Sequence, residues 1–440
     1  MMTSSFSLWN RWRLAAADRL RYSRLAPRAA EFARKLKLIA ARGLARRLDL
    51  KAEIYRLQLM AGHSCGLARR LRPFVEDPKL AGVWREQKIG WPRFAIQTKP
   101  GTISKGVVLK PCLGPAEKGV LLVSFDYNFP PLLEAKDAAR LFADYMVIGA
   151  TAWSPPSLQA CWSLAHIPGA EVFLMISHRK DLDWLNRFAT GITVIPFLMS
   201  HWINPDDYQP RPRDQRRIDI LMVANWASFK RHWLLFRALR EMRRPELCVV
   251  LVGQSERGRT VEHVRQEARW FVVEGQVEFL DRCGIGRVTE LQCDSKVALI
   301  FSRREGSCVV VAEALFADTP VGMLRGAHIG SAEFINDQTG MFLEESNLAH
   351  DLGAFLERSR QCQPRAWAAK NISCQVSTAR LNDLLKSHAL AHGQTWTRDL
   401  CLLGWRPNPR YVRAADAEAM QPVYREMRER HGLIWEGVGI

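Results

Sequence analysis

Phe301-Ser302-Arg303-Arg304-Glu305-Gly306-Ser307-Cys308-Val309-Val310-Val311-Ala312-Glu313-Ala314-Leu315 decides how this chain is read. The apolar run before it, Val297 to Phe301, has the length of a buried parallel strand. A polar turn through Glu305-Gly306-Ser307 follows, and the apolar stretch from Cys308 to Ala317 predicts a buried helix. A strand that turns through Gly-Ser into a helix leaves backbone N–H groups without partners at the helix start. Those donors and the helix dipole suit a phosphate. Glu305 stands on the turn, and Glu313 lies about two turns into the helix. Two carboxylates beside a phosphate would repel it unless they bind neutral hydroxyls, such as those of a sugar and a ribose flanking a pyrophosphate. The spacing alone is weak, and a Glu near a helix N-terminus is ordinary capping. The apolar neighbours Val311, Ala312, Ala314 and Leu315 favour function, because an unpaired carboxylate among them is costly to bury.

Outward from this segment the chain alternates strand and helix patterns. Upstream of it come a strand at 217–223, a helix at 229–243, a strand at 247–253, a helix at 259–272, a strand at 276–280, a helix at 285–293 and a strand at 296–301. The predicted helix at 308–317 leads to a strand at 319–323. A similar pattern precedes them: strands at 107–110, 120–125, 146–150, 172–177 and 192–196, with helices at 132–145 and 155–164. Such alternation predicts α/β architecture with mostly parallel sheets. The expected organisation is a basic helical arm (1–72), a connector (73–104), a first Rossmann-like acceptor domain (105–205) and a Pro-rich linker (206–216). A second Rossmann-like donor domain (217–390) and C-terminal helices crossing back (391–440) follow. Two doubly wound domains would face each other across a cleft, with ligands at strand C-termini.

The segment resembles the retaining glycosyltransferases of family 4. Their Glu-x7-Glu signature is matched by Glu305 and Glu313, and their Asn-rich Thr-Gly turn by Ile335-Asn336-Asp337-Gln338-Thr339-Gly340. Ile218-Asp219-Ile220-Leu221-Met222-Val223-Ala224-Asn225 resembles the first strand of their nucleotide-binding domain, followed by Lys230-Arg231-His232 where the family places a cation. Asn225 stands where many members have Arg, and Arg231 is the candidate substitute. The resemblance implies the two-domain GT-B fold and a nucleotide-diphosphate sugar as donor substrate, with no metal or other cofactor. It assigns the diphosphate to Lys230, Arg231 and the backbone N–H groups of Gly306, Ser307 and Cys308, the ribose to Glu313, and the donor sugar to Glu305. His178, in Ser177-His178-Arg179-Lys180-Asp181 after an apolar strand, is a candidate local acid or base on the acceptor side. Trp153 and Tyr127 follow strands in similar positions.

The net charge of +18 is unevenly placed: residues 1–72 hold seventeen Lys or Arg and four Asp or Glu, with Trp and Leu interleaved. Three readings of this arm stand side by side: an anionic lipid surface, a helical hairpin packed on the body, and nucleic acid. The first is preferred because Trp and Leu beside Arg suit an interface-parallel helix, and no nucleic-acid motif accompanies the charge. No segment has the apolar length of a membrane span, and no signal-peptide pattern is present. Ten scattered cysteines without Cys-x-x-Cys favour a reducing compartment and no structural metal. The expected setting is cytoplasmic, peripheral on the inner membrane face. The expected function is sugar transfer to a polysaccharide or lipid-linked hydroxyl acceptor. The alternatives are an epimerase or phosphorylase on the same fold, or a non-catalytic basic scaffold for polymer or nucleic acid. Base, sugar, acceptor, linkage and oligomeric state are not encoded in any motif.

Overall fold

The computed structural model describes residues 2–23, 32, 36, 101–125, 128–154, 164–165, 167–188 and 191–436. The chain divides into two compact units, Met1–Pro27 with Ile203–Ser373, and Arg28–Trp202 with Cys374–Ile440. The two doubly wound α/β units expected from the sequence are present. The expected helix at 155–164 up to residue 163, the Tyr127 position and nearly all of 24–100 lie outside the described residues.

Helix α1 (Met2–Arg21) belongs to the first unit. In the second unit, β1 (Thr102–Ile103) precedes β2 (Gly106–Lys110) and β3 (Gly119–Ser124). Helices α2 (Pro130–Leu133) and α3 (Ala138–Asp144) replace the single helix expected at 132–145. The break falls at 134–137, where Asp137 caps α3 by accepting a hydrogen bond from Arg140 N. Strands β4 (Tyr145–Ala150) and β5 (Glu171–Met175), helix α4 (Lys180–Phe188) and β6 (Ile192–Ile195) complete the sheet. Its order is β2-β3-β4-β5-β6, parallel from β3 onward, with β2 antiparallel at one edge.

The first unit continues with β7 (Ile218–Val223), α5 (His232–Met242), β8 (Val249–Gly253), α6 (Val261–Phe271), β9 (Val277–Asp281) and α7 (Ile285–Cys293). Then come β10 (Ser295–Ile300), α8 (Val309–Phe316), β11 (Val321–Leu324), β12 (Gly340–Leu343), α9 (Leu348–Arg358) and α10 (Pro364–Ile372). All six strands pair in parallel in the order β12-β11-β10-β7-β8-β9. This is the Rossmann strand order, and its topological switch point lies between β7 and β10. Helices on both faces bury the sheet, which is why these strands read as unbroken apolar runs. Trp226, Leu234, Phe236, Leu251, Leu299 and Phe355 sit at the centre of the core.

Three expected boundaries are corrected. The stretch read as a linker packs into the first unit: Tyr208 and Arg216 are buried, and Arg216 Nη1 donates to Ser295 O and Asp318 O. The return to the second unit comes at Ser373/Cys374, before the expected 391, so helix α11 (Cys374–Ala391) already belongs there. His388 on α11 hydrogen-bonds Glu171 at 2.9 Å. Beyond it the chain is only partly helical: β13 (Leu403–Trp405) and β14 (Pro409–Tyr411) form a hairpin, helix α12 (Ala414–His431) follows, and β15 (Ile434–Trp435) pairs with β1. Glu117 ties this tail to the sheet: it pairs with buried Lys110 at 2.9 Å and accepts from Thr397 Oγ1.

The third correction concerns the arm. Its first 21 residues are not separable. Leu14 and Ala15 of α1 pack on the core of the first unit, and Asp18 is buried against Arg231. The basic composition concealed this, because the inward face of an arginine-rich helix holds one acidic residue and a few apolar ones.

Candidate donor site

The loops after β7, β8, β9 and β10 meet at the strand C-termini around a cavity of about 360 Å³. Asn225, Lys230, Glu305 and Cys308 line it, as do Gln254 and Arg282. This is the position the switch point gives to ligands in an open parallel sheet.

Each loop is pinned. Gly253 ends β8 where a Cβ would fall 2.4 Å from Ala224 O, so the backbones of the first two loops can approach only through glycine. Trp226 N donates to Gln254 O, and Trp226 Nε1 donates to Asp281 at 2.6 Å. Asn225 Oδ1 accepts from Ala227 N at 3.4 Å. The loop carrying Glu305 is zipped to the segment after β11: Glu305 N donates to His328 O, Gly330 N to Gly306 O and Ser331 N to Ser307 O. Cys308, expected as the first helical residue, takes a left-handed conformation (φ 54°) and caps α8, whose first residues Val309 and Val310 line the cavity. Burial, then the Glu305 carboxylate, push the Cys308 thiol well above its ordinary range. It stays protonated.

Lys230 Nζ and Glu305 Oε1 lie 2.8 Å apart, both largely buried. Among the described residues Oε1 accepts no directional hydrogen bond, so the contact is an ion pair. A cation and an acceptor therefore stand together at the helix start, in a place where an entering diphosphate would compete with Glu305 for Lys230.

The other expected site residues lie elsewhere. Glu313 is half-buried on α8 and accepts from Gln292 Nε2 of α7 at 3.4 Å, without lining the cavity. Gly306 and Ser307 are buried behind it. His178 belongs to the second unit, where its Nδ1 accepts from Lys180 N at the start of α4. Arg231 is corrected outright. It is fully buried, its Nε and Nη2 donate to Asp18, and Nη2 also donates to Glu345 at 2.8 Å. Burial opposes its charge, but the two carboxylates outweigh that and hold the guanidinium above the usual arginine range. Its left-handed φ of 59° sends it into the core while Lys230 faces the cavity. Arg282, also left-handed and donating its N–H to Gly253 O, is the cavity's second cation. Its place directly after a parallel strand is the signal that could have found it.

His232 sits below the site, beside the Trp226 ring at 5.5 Å, and neither ring nitrogen has a hydrogen-bond partner among the described residues. Burial first, then Arg259 and Lys230, push it down to about 3. The unfolded chain therefore binds the extra proton between about pH 6.5 and 3, so this residue lowers stability as pH falls through that window and has no effect above it. Wild type should lose about 1.4 kcal/mol more per pH unit below 6.5 than His232→Leu. Urea titrations from pH 7 to 4 measure this, and parallel slopes would show that His232 is not buried neutral.

Residues 217–358 match the family described as Glycosyl transferases group 1. The matched segment is the six-stranded unit from β7 to α9 and contains the whole cavity. It covers about a third of the chain. The sequence matches no curated protein. Among solved structures the chain is similar to sucrose-phosphate synthase from Thermosynechococcus elongatus (14% identity, 62% of this chain and 74% of that one, TM-score 0.46). It is similar to the pneumococcal O-GlcNAc transferase GtfA in complex with UDP and GlcNAc (13%, 61% and 56%, 0.46). It is also similar to Anabaena Alr3699/HepE in complex with UDP and glucose (14%, 60% and 78%, 0.46). The Glu305 turn and the Lys230 turn both fall inside the group 1 segment, and α1 falls outside it.

Proposed function

We propose that the protein is a retaining glycosyltransferase that moves a sugar from a nucleoside diphosphate sugar to a hydroxyl on a polysaccharide or lipid-linked glycan at a membrane surface. The observation that carries this reading is the convergence of Lys230, Glu305 and the start of α8 on one cavity at the switch-point edge of a parallel sheet.

In this mechanism the anomeric carbon–phosphate oxygen bond breaks, and the diphosphate leaves with growing negative charge. Lys230, Arg282 and the α8 N-terminus stabilise that charge. Glu305, released from Lys230 as the phosphate takes the cation, accepts hydrogen bonds from sugar hydroxyls and orients the ring. Glu313, about one turn further along α8 than the cavity-lining Val310, is assigned the ribose hydroxyls by the resemblance, at the rim of the cavity rather than in its lining. The acceptor oxygen forms its bond on the face the diphosphate leaves, and its proton passes to a phosphate oxygen. No enzyme nucleophile is required. Protein cations carry the charge stabilisation, so transfer is expected to proceed without added metal. His178, already engaged at the start of α4, serves the acceptor side in this reading.

A nucleoside diphosphate should stabilise the protein by about 2.7 kcal/mol at one hundred times its dissociation constant. Thermal melts with millimolar UDP, GDP and ADP, with and without EDTA, measure this. No shift with any of the three would defeat the donor-site assignment, and loss of the shift in EDTA would defeat metal independence.

A further inference from the structure

Helix α1 faces solvent with the wrong side for a soluble protein. Asn10, Leu14 and Asp18, spaced by four, form the side turned to the body. Leu8, Trp12, Ala16 and Leu20, also spaced by four, run along the opposite side, with Trp9 beside them. Trp12 is 61% and Leu20 73% exposed, and the Trp9 and Trp12 rings stack at 5.3 Å. Single exposed apolar residues need no explanation, but a continuous line of them on one helix marks an interaction surface. Exposed Arg13, Arg19 and Arg21 border the line.

The helix cannot turn over to hide this face. Asp18 is locked to Arg231, Arg11 lies 5.8 Å over the Phe271 ring, and Arg21 donates to Ser228 Oγ at 2.9 Å. Next to it, a cavity of about 420 Å³ is lined by Arg19 of α1 together with Arg237, Arg303 and Arg325, against Glu344 and Glu345. Both glutamates are engaged, Glu345 by Arg231 and Arg303, and Glu344 by Arg325. The lining keeps a positive surplus, and Arg19 belongs to the cavity and the apolar face at once.

We propose that this unit docks on an anionic lipid surface through α1: Leu8, Trp9, Trp12 and Leu20 enter the headgroup–acyl boundary, and the four-arginine cavity receives lipid phosphates. Tryptophan beside aliphatic side chains suits the boundary, and arginines bordering them suit the charged headgroups. The inference deepens the membrane-surface part of the proposed function and stands independently of the sugar chemistry.

The test uses the full chain and sedimentation with phosphatidylglycerol-containing or pure phosphatidylcholine vesicles. Wild type should bind the former strongly and the latter only weakly. Trp9→Ser/Trp12→Ser, at exposed positions, should lose the part of binding that survives high salt. Arg19→Glu/Arg325→Glu should lose the salt-sensitive part, by at least about fivefold per arginine. Both variants should keep the nucleotide-induced thermal shift, so a failed donor site and a failed lipid surface are told apart. Variants that bind vesicles like wild type, or equal binding to neutral vesicles, would overturn the proposal. So would a dimer that Trp9→Ser/Trp12→Ser converts to monomer, which would assign the face to a second copy of the chain.

Discussion

Asp18→Asn is expected to destabilise the unit formed by Met1–Pro27 and Ile203–Ser373 by about 3–5 kcal/mol, and Arg231→Leu by a similar amount. In either variant a buried charge loses its partner: Asp18 and Arg231 meet at 2.6 Å, with the guanidinium out of contact with water. Desolvation then stands without the attraction that offset it. Glu345 alone cannot compensate in Asp18→Asn, because Arg303 shares it. Deleting residues 1–22 should cost at least as much, since it also uncovers the core surface against which Leu14 and Ala15 pack. Chemical denaturation of full-length variants measures the effect. Asp18→Asn melting with wild type would mean that α1 does not hold Arg231, and the lipid-docking geometry would fall with it.

The second large effect concerns catalysis. Lys230→Ala should lower turnover by about 10²–10³-fold, the usual cost of removing a donor aimed at developing negative charge. It should also weaken nucleoside diphosphate binding by about 1.5–3 kcal/mol, while nucleoside binding changes little. Under the proposed assignment of Glu305 to the donor sugar, Glu305→Gln should slow transfer and leave nucleotide affinity almost intact. Glu313→Gln should show the reverse pattern. Calorimetric titration of nucleotides, together with release of diphosphate from a nucleotide-sugar panel, separates these cases. Equal loss of nucleotide affinity in both glutamate variants would contradict the division of roles.

The two glutamates illustrate what a linear reading can see. Glu305 was legible because the strand, the turn and the helix around it each have a local signature, and a turn after a parallel strand points to the ligand edge of the sheet. Glu313 was read as an isolated carboxylate among apolar residues. On the folded helix it is only half-buried and has Gln292 as a neighbour, a contact between two helices that no local pattern announces. Arg231 departs from its expected role for a conformational reason. Next to Lys230 in sequence it looks like a second phosphate ligand, but a left-handed backbone angle separates the directions of the two side chains. Arg282 becomes a site residue only where the loops after β7, β8 and β10 converge with its own after β9, which its place after a strand suggests but does not prove.

The sequence by itself determined the α/β class, the positions of strands β2 to β11 and the turn that carries Glu305, since parallel strands buried on both faces must be apolar and chain-local turns carry their own residues. Only the tertiary structure decided that the first helix belongs to the unit of residues 203–373, that Asp18 and not a phosphate neutralises Arg231, and that Lys230 faces Glu305. Those outcomes depend on pairing charges far apart in the chain. Burial makes an unpaired charge so costly that the fold selects the partner, and a sequence summed as net charge holds no record of the choice.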